Sequence, residues 1–170
     1  MAGQATAKPR KLGSNLVPLE EQNRLMWDRA QLAEGITALE RATRDDDPGA
    51  YTVQAAIAAM HSVALRAEDT DWERILALYD ELLKLAPSPV VELNRAVAVA
   101  FAQGWSEGLA VMEALDSLGD YFLYHAARAD LYRRLDRNAE SAEAYARALV
   151  LVTNPVERGF LEGRLSQVAG

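Results

Sequence analysis

Two histidines, His61 and His125, are the side chains best suited to hold a metal or to move a proton near neutral pH. They stand far apart, each inside a predicted helix, with no second histidine at ligand spacing and no HExxH run. A metal is therefore not expected. Glu20-Glu21 and Asp45-Asp46-Asp47 offer neighbouring carboxylates, the raw material of an acid/base pair, but solvated surface charge is the stronger reading of such runs. The chain has no cysteine, which removes thiolate nucleophiles, thiolate metal sites and disulfides together. GxGxxG, P-loop and GxSxG patterns are all missing, so neither a phosphate cradle nor a nucleophile turn is in view. No catalytic residue is assigned, no cofactor is expected, and the functional class that remains is binding.

Polar residues on otherwise apolar helices are the next candidates. Asn94 and Arg95 lie between Val91 and Val97, where a buried polar group would need a partner. Arg128, Asp130, Arg133 and Arg134 form a second set. For all six, an internal network is favoured over direct contact with a partner, but they are the residues from which a partner-binding surface would be built. Trp27, Trp72 and Trp105 are better read as core packing than as an interface, with Trp105, beside a turn, the most exposed of the three.

The elements that position these residues read as helices. From Leu19 to Ala42, apolar residues recur at three- and four-residue steps, until Asp45-Asp46-Asp47-Pro48-Gly49 interrupts them. A second helix is predicted from Ala50 to Ala67, burying Tyr51, Ala55, Ile57, Ala58, Val63 and Leu65. A third begins near Trp72 behind the capping group Asp69-Thr70-Asp71. Pro87-Ser88-Pro89 punctuates the chain, and Pro89 suits the first turn of a fourth helix running to Gln103. Within it Ala96-Val97-Ala98-Val99-Ala100 alternates like a strand, but Glu92, Asn94, Arg95 and the alanine content favour helix. Beyond Gly104 a short fifth helix capped by Ser106 reaches Leu115. Three more follow, over Tyr121 to Leu135, over Ala139 to Val152, and from the Asn154-Pro155 cap towards Val168. Eight helices result, and the fold class is all-α.

Composition agrees and narrows the setting. Of 170 residues, 50% are hydrophobic, enough for one packed domain, which we place at 18–170 behind a polar tail or linker at 1–17. That tail carries Lys8, Arg10 and Lys11, leaving 15 basic residues against 25 acidic ones in the rest of the chain. An acidic body without a basic face does not neutralise phosphates, so direct DNA binding by this segment is not expected. No apolar run approaches a membrane span or a signal peptide, and with the lack of cysteine this places the chain in the cytoplasm, away from membranes.

Short helices separated by tight turns invite a search for repeats. Ala129, Tyr132, Asp136, Tyr145, Ala148, Leu149 and Asn154-Pro155 are spaced like the small, aromatic, turn, aromatic and small positions of a tetratricopeptide repeat, with aspartate where the turn glycine would stand. Ile75, Tyr79, Leu82 and Pro87 match a second helix of another repeat, and Pro89 to Leu115 supply a further pair. The expected architecture is a short superhelical array of antiparallel helix pairs, whose concave face receives a protein partner.

Several segments carry a closer resemblance. Leu16-Val17-Pro18-Leu19-Glu20-Glu21-Gln22-Asn23-Arg24 with Trp27-Asp28-Arg29, then Tyr51 to Ala59, Asp71-Trp72 with Leu78-Tyr79-Asp80, and Ser88 to Ala98 are similar to the helical extension carried by a subgroup of extracytoplasmic-function sigma factors. Ala127 to Leu131 and Glu157 to Leu161 continue the likeness towards the C-terminus. The promoter-reading and polymerase-binding helices of that family are not among these residues. The resemblance implies a C-terminal regulatory region that acts by binding the sigma regions of the same factor, RNA polymerase or a signalling protein. A freestanding tetratricopeptide-like adaptor is the alternative, and a helical hydrolase without a recognisable motif is a third.

Overall fold

A computed structural model of the chain describes residues 49–63 and 69–170, together with Thr37, Glu40 and Arg44. The described part is helical throughout, with seven helices: α1 Ala50–Val63, α2 Trp72–Leu85, α3 Pro89–Gln103, α4 Trp105–Glu113, α5 Phe122–Arg134, α6 Asn138–Leu151 and α7 Pro155–Val168. There is no strand among the described residues. The predicted tail at 1–17, Trp27 and Asp45 to Asp47 lie outside the described residues. Of the predicted first helix only Thr37 and Glu40 are described, both helical, as is Arg44 beyond its expected end.

Side-chain caps set three of the seven described helix starts. The Asp71 carboxylate accepts the Arg74 N–H, the Ser88 hydroxyl accepts the Val91 N–H, and the Asn154 side chain accepts from Val156 and Glu157, in each case satisfying donors that the first turn leaves open. Pro89 and Pro155 occupy first-turn positions where a missing N–H costs nothing. One helix start and one buried face depart from expectation. Ser106 does not cap α4: the helix begins one residue earlier, at Trp105, behind Gly104, whose φ of 138° lets a single residue reverse the chain between α3 and α4. On α1 the buried stripe is Val53, Ala56, Ile57 and Ala59, so that Ala58 faces outward and Tyr51 is 71% exposed.

Each helix packs on its neighbours in the chain, and α3 also reaches α5. Two apolar clusters result. One joins α1, α2 and α3 through Val53, Ile57, Ile75, Leu82 and Val99. The other runs from α3 to α7 through Ala96, Met112, Ala129, Tyr145 and Leu161. Helix α3 contributes to both, which explains its strand-like sequence: alanine and valine alternate because the helix is covered on more than one side.

The burial pattern of α3–α4 recurs in α5–α6 at an offset of thirty-three residues. Ala96 and Ala129 are both fully buried, Val99 matches Tyr132, and Met112 matches Tyr145. Gly108 matches Ser141, and both are buried where helices come close. A Cβ on Gly108 would overlap the Ala100 methyl and lie 2.5 Å from the Ala100 Cα. Ser141 keeps its small size and donates its hydroxyl to the Ala129 carbonyl at 2.8 Å. The turn after α5 is closed by Asp136 in the left-handed region, φ 57°, with the Arg137 N–H returning to the Tyr132 carbonyl.

Candidate functional site

The six candidate residues fall into separate settings. Asn94 is exposed on α3. Arg95, one residue on, is half-buried and donates its Nε to the Asp80 carboxylate of α2 at 2.6 Å, so it ties two helices together. On α5, Asp130 receives Arg133 at 2.6 Å through one oxygen and Arg134 at 2.7 Å through the other. Burial alone would push the Asp130 carboxyl up, but the hydrogen bonds and charges of Arg134 and Arg133 together outweigh it and hold the group below the ordinary carboxylate value. Arg128 stands in a third cluster, donating to the Tyr132 hydroxyl at 3.1 Å and lying 3.7 Å from Glu113 of α4. The Tyr132 hydroxyl donates to the same Glu113 carboxylate. Burial, followed by that hydrogen bond, pushes the Tyr132 phenol up.

Arg134 connects this polar set to an aromatic one. Its guanidinium lies 4.4 Å from the Trp105 ring centroid and 5.2 Å from that of Phe101. Phe101 meets Trp105 edge-on at 5.0 Å and stacks on Trp72 at 4.1 Å, and Trp72 meets His61 edge-on at 5.2 Å. The ladder therefore begins near the end of α1, crosses the start of α2, the end of α3 and the start of α4, and finishes at the end of α5. Both described tryptophans are half-buried within it.

A protein of Rhizobium meliloti (strain 1021), itself uncharacterized, is 44% identical to this chain over 155 residues, covering 91% of the chain and 37% of that relative. The chain thus spans little more than a third of the length of the relative it matches. No family model and no solved structure matches the chain.

What the arrangement can do follows from its chemistry. Among the described residues no three histidine, cysteine, aspartate or glutamate side chains stand close enough to hold a metal ion, and no helix is long and apolar enough to cross a membrane. His125 is buried and its Nε2 lies 2.8 Å from the Gly119 carbonyl, to which it donates, pinning the turn before α5. Arg95, Arg128, Arg133 and Arg134 are all engaged within the chain while remaining partly exposed. Phe101 and Glu113 were not among the sequence candidates. Phe101 could have been found from the thirty-three-residue offset, which pairs it with Arg134.

Proposed function

We propose that this chain is the C-terminal regulatory region of an extracytoplasmic-function sigma factor, a tetratricopeptide-like array of helix pairs that modulates transcription initiation by binding a protein. The partner is the sigma regions of the same factor, RNA polymerase or a signalling protein. The observation that carries the reading is the recurrence of the buried small and large positions of α3–α4 in α5–α6, set in a chain whose helices pack on their sequence neighbours. Such stacking is the physics of repeat proteins, which present extended surfaces to macromolecules. The likeness of Ser88 to Ala98 to the sigma-factor extension supports the particular assignment. The Rhizobium relative, in which the matched part is a minority of the length, fits a region joined to other domains.

Regulation of this kind is coupling and needs no chemistry. If the partner binds the active and silent arrangements with different free energies, it shifts their balance by that difference alone. The test is promoter-dependent transcription by the full-length factor with and without the region from Leu19 onwards. The truncated factor is expected to differ in activity, and the isolated region to leave promoter DNA unretained. Identical transcription by both forms would defeat the regulatory role.

A further inference from the structure

Among the described residues five large apolar side chains are exposed: Tyr51, Leu85, Val90, Leu123 and Val150. Apolar residues scattered singly over a surface are ordinary, whereas a gathered set marks a place where something binds. These five are gathered. Tyr51, Val90 and Leu123 are each the second residue of a helix, α1, α3 and α5, while Leu85 is the last of α2 and Val150 the last but one of α6.

Helix direction brings those ends together. Helices that pack on each other across short turns run in opposite directions. Ala86 to Ser88 separate α2 from α3, Gly104 alone separates α3 from α4, and Leu135 to Arg137 separate α5 from α6. The ring ladder marks one edge of the stack, since it joins the ends of α1, α3 and α5 to the starts of α2 and α4. α1, α2, α3, α5 and α6 have 13 to 15 residues each. That is about 20 Å of helix, so their other ends form the opposite edge, and all five exposed apolar residues stand there.

The bases at this second edge are committed. Lys84 pairs with Glu81 at 2.7 Å, Arg147 lies 3.6 Å from Asp120, and Arg158 donates to the Val152 carbonyl. Three acids there have no ion-pair partner among the described residues: Glu92 in the first turn of α3, Asp116 in the turn leading to α5, and Glu157 in the first turn of α7. The helix dipole favours Glu92 and Glu157 where they stand but does not cancel their charge.

We infer that this edge binds an amphipathic segment of a protein partner in which apolar side chains are mixed with lysine or arginine. Its apolar residues cover Leu85, Val90 and Leu123, and its cations meet Glu92 and Asp116. Leu85 and Val90 flank one turn, and α3, which carries Val90, also packs on α5, which carries Leu123. A second copy of the chain would bring a like charge of −7 to the edge, and nucleic acid or an anionic bilayer would be repelled in the same way. The inference rests on the protein-binding reading above, but not on attachment to a sigma factor.

The test is fluorescence anisotropy of the full 170-residue chain. Three labelled peptides of one length are compared: lysine mixed with leucine and phenylalanine, the same peptide with glutamate for lysine, and the same peptide with serine for leucine and phenylalanine. The first should bind best, and raising the salt from about 0.05 to about 0.3 M should weaken it by about threefold or more. Val90→Ser combined with Leu123→Ser, at exposed positions where the fold is not at stake, should weaken it by about fivefold or more. Glu92→Gln should weaken it by about threefold, the size of an exposed charge pair. Glu73→Gln makes the same change of charge at an exposed first-turn acid of the ladder edge, and should leave binding as it was. Equal binding of the glutamate or serine peptide, no binding of any peptide, or indifference to the double variant would each overturn the inference. So would equal effects of Glu73→Gln and Glu92→Gln, or a dimer in sedimentation that Leu123→Ser dissolves, which would give the edge to a second copy. Transcription that responds to removal of this region, while the chain ignores the lysine peptide, would sink this inference and leave the regulatory one standing. Selective binding of that peptide with transcription unchanged would do the reverse.

Discussion

Phe101 lies face to face with Trp72, their ring centroids 4.1 Å apart and their planes 14° from parallel, so that a single residue near the end of α3 clamps the start of α2. Its other neighbours, Trp105 and Arg134, belong to α4 and α5. One side chain thus touches three further helices, which makes it the most economical place to probe the stack.

Phe101→Ala should destabilise the chain by about 3 kcal/mol, the lower end of the range for phenylalanine truncation because the ring is only half-buried. Phe101→Leu should cost less, about 1 kcal/mol, keeping apolar bulk but losing the ring geometry. Urea unfolding followed by far-ultraviolet circular dichroism measures both, and tryptophan emission should move to the red in the alanine variant as Trp72 and Trp105 gain water. A loss well under about 1 kcal/mol for Phe101→Ala would show that the ladder adds little beyond solvent-exposed contact.

Gly108→Ala should lower stability, although alanine is the better helix former by about 1 kcal/mol. The added methyl would overlap Ala100 and approach its backbone nitrogen at 2.7 Å, so α3 and α4 would have to part, an overpacking cost of about 1–3 kcal/mol or more. Adding Ala100→Gly should not restore the loss, since the Ala100 Cα and nitrogen stay where they are. Full rescue in the double variant, read from thermal unfolding, would place the conflict in the methyl groups alone.

Asp130 should leave a pH signature. Its carboxyl is held below its ordinary value in the folded chain, so its contribution to stability is present above the usual carboxylate value of about 4 and disappears as pH falls through the lower, folded value. Asp130→Asn should therefore be less stable than the parent at pH 7, and the gap between them should close in acid. Urea midpoints measured from neutral pH down to the acid range test this, and a gap that is constant with pH would refute it.

Asp136 occupies a left-handed conformation that costs most side chains about 1 kcal/mol or more and glycine almost nothing. Asp136→Gly should be stabilising by about 0.5 kcal/mol, the relief being partly offset by the greater freedom of glycine in the unfolded chain. Asp136→Val should be destabilising by at least about 1 kcal/mol, because a β-branched residue tolerates this region poorly. Thermal unfolding of the pair gives the order directly.

Much of this structure is readable in sequence wherever the cause is local. Pro89 after Ser88, Pro155 after Asn154 and Asp71 before Trp72 mark helix starts because capping is decided within one turn. Pro89–Gln103 appears where the residues place it, despite its alternating valines. Asp136, read from the sequence as a turn position, does stand in the turn after α5, in a left-handed conformation. What is not local is harder to read. Tyr51 fits an apolar stripe on paper, but whether it is covered depends on which helix arrives at that face, and none among the described residues buries it. The candidates Arg95, Arg128 and Asp130 do carry internal networks: Asp130 holds Arg133 and Arg134 at helical spacing, but the partners of Arg95 and Arg128, Asp80 and Glu113, lie on other helices, fifteen residues apart in both pairs, and no spacing rule announces them. Asn94, paired with Arg95 in sequence, faces the other way on the helix and is exposed.

Helix α3 lends side chains to both apolar clusters. It works like the keystone of an arch: among the described residues, both clusters include it. Severing the chain beyond Gln103 would strip the C-terminal fragment of one wall of its interior, while a cut ahead of Pro89 would strand α1 and α2. Thermal melting should accordingly be a single event for the described helices rather than two in succession, and whatever a partner does to α3 is felt at both extremities together.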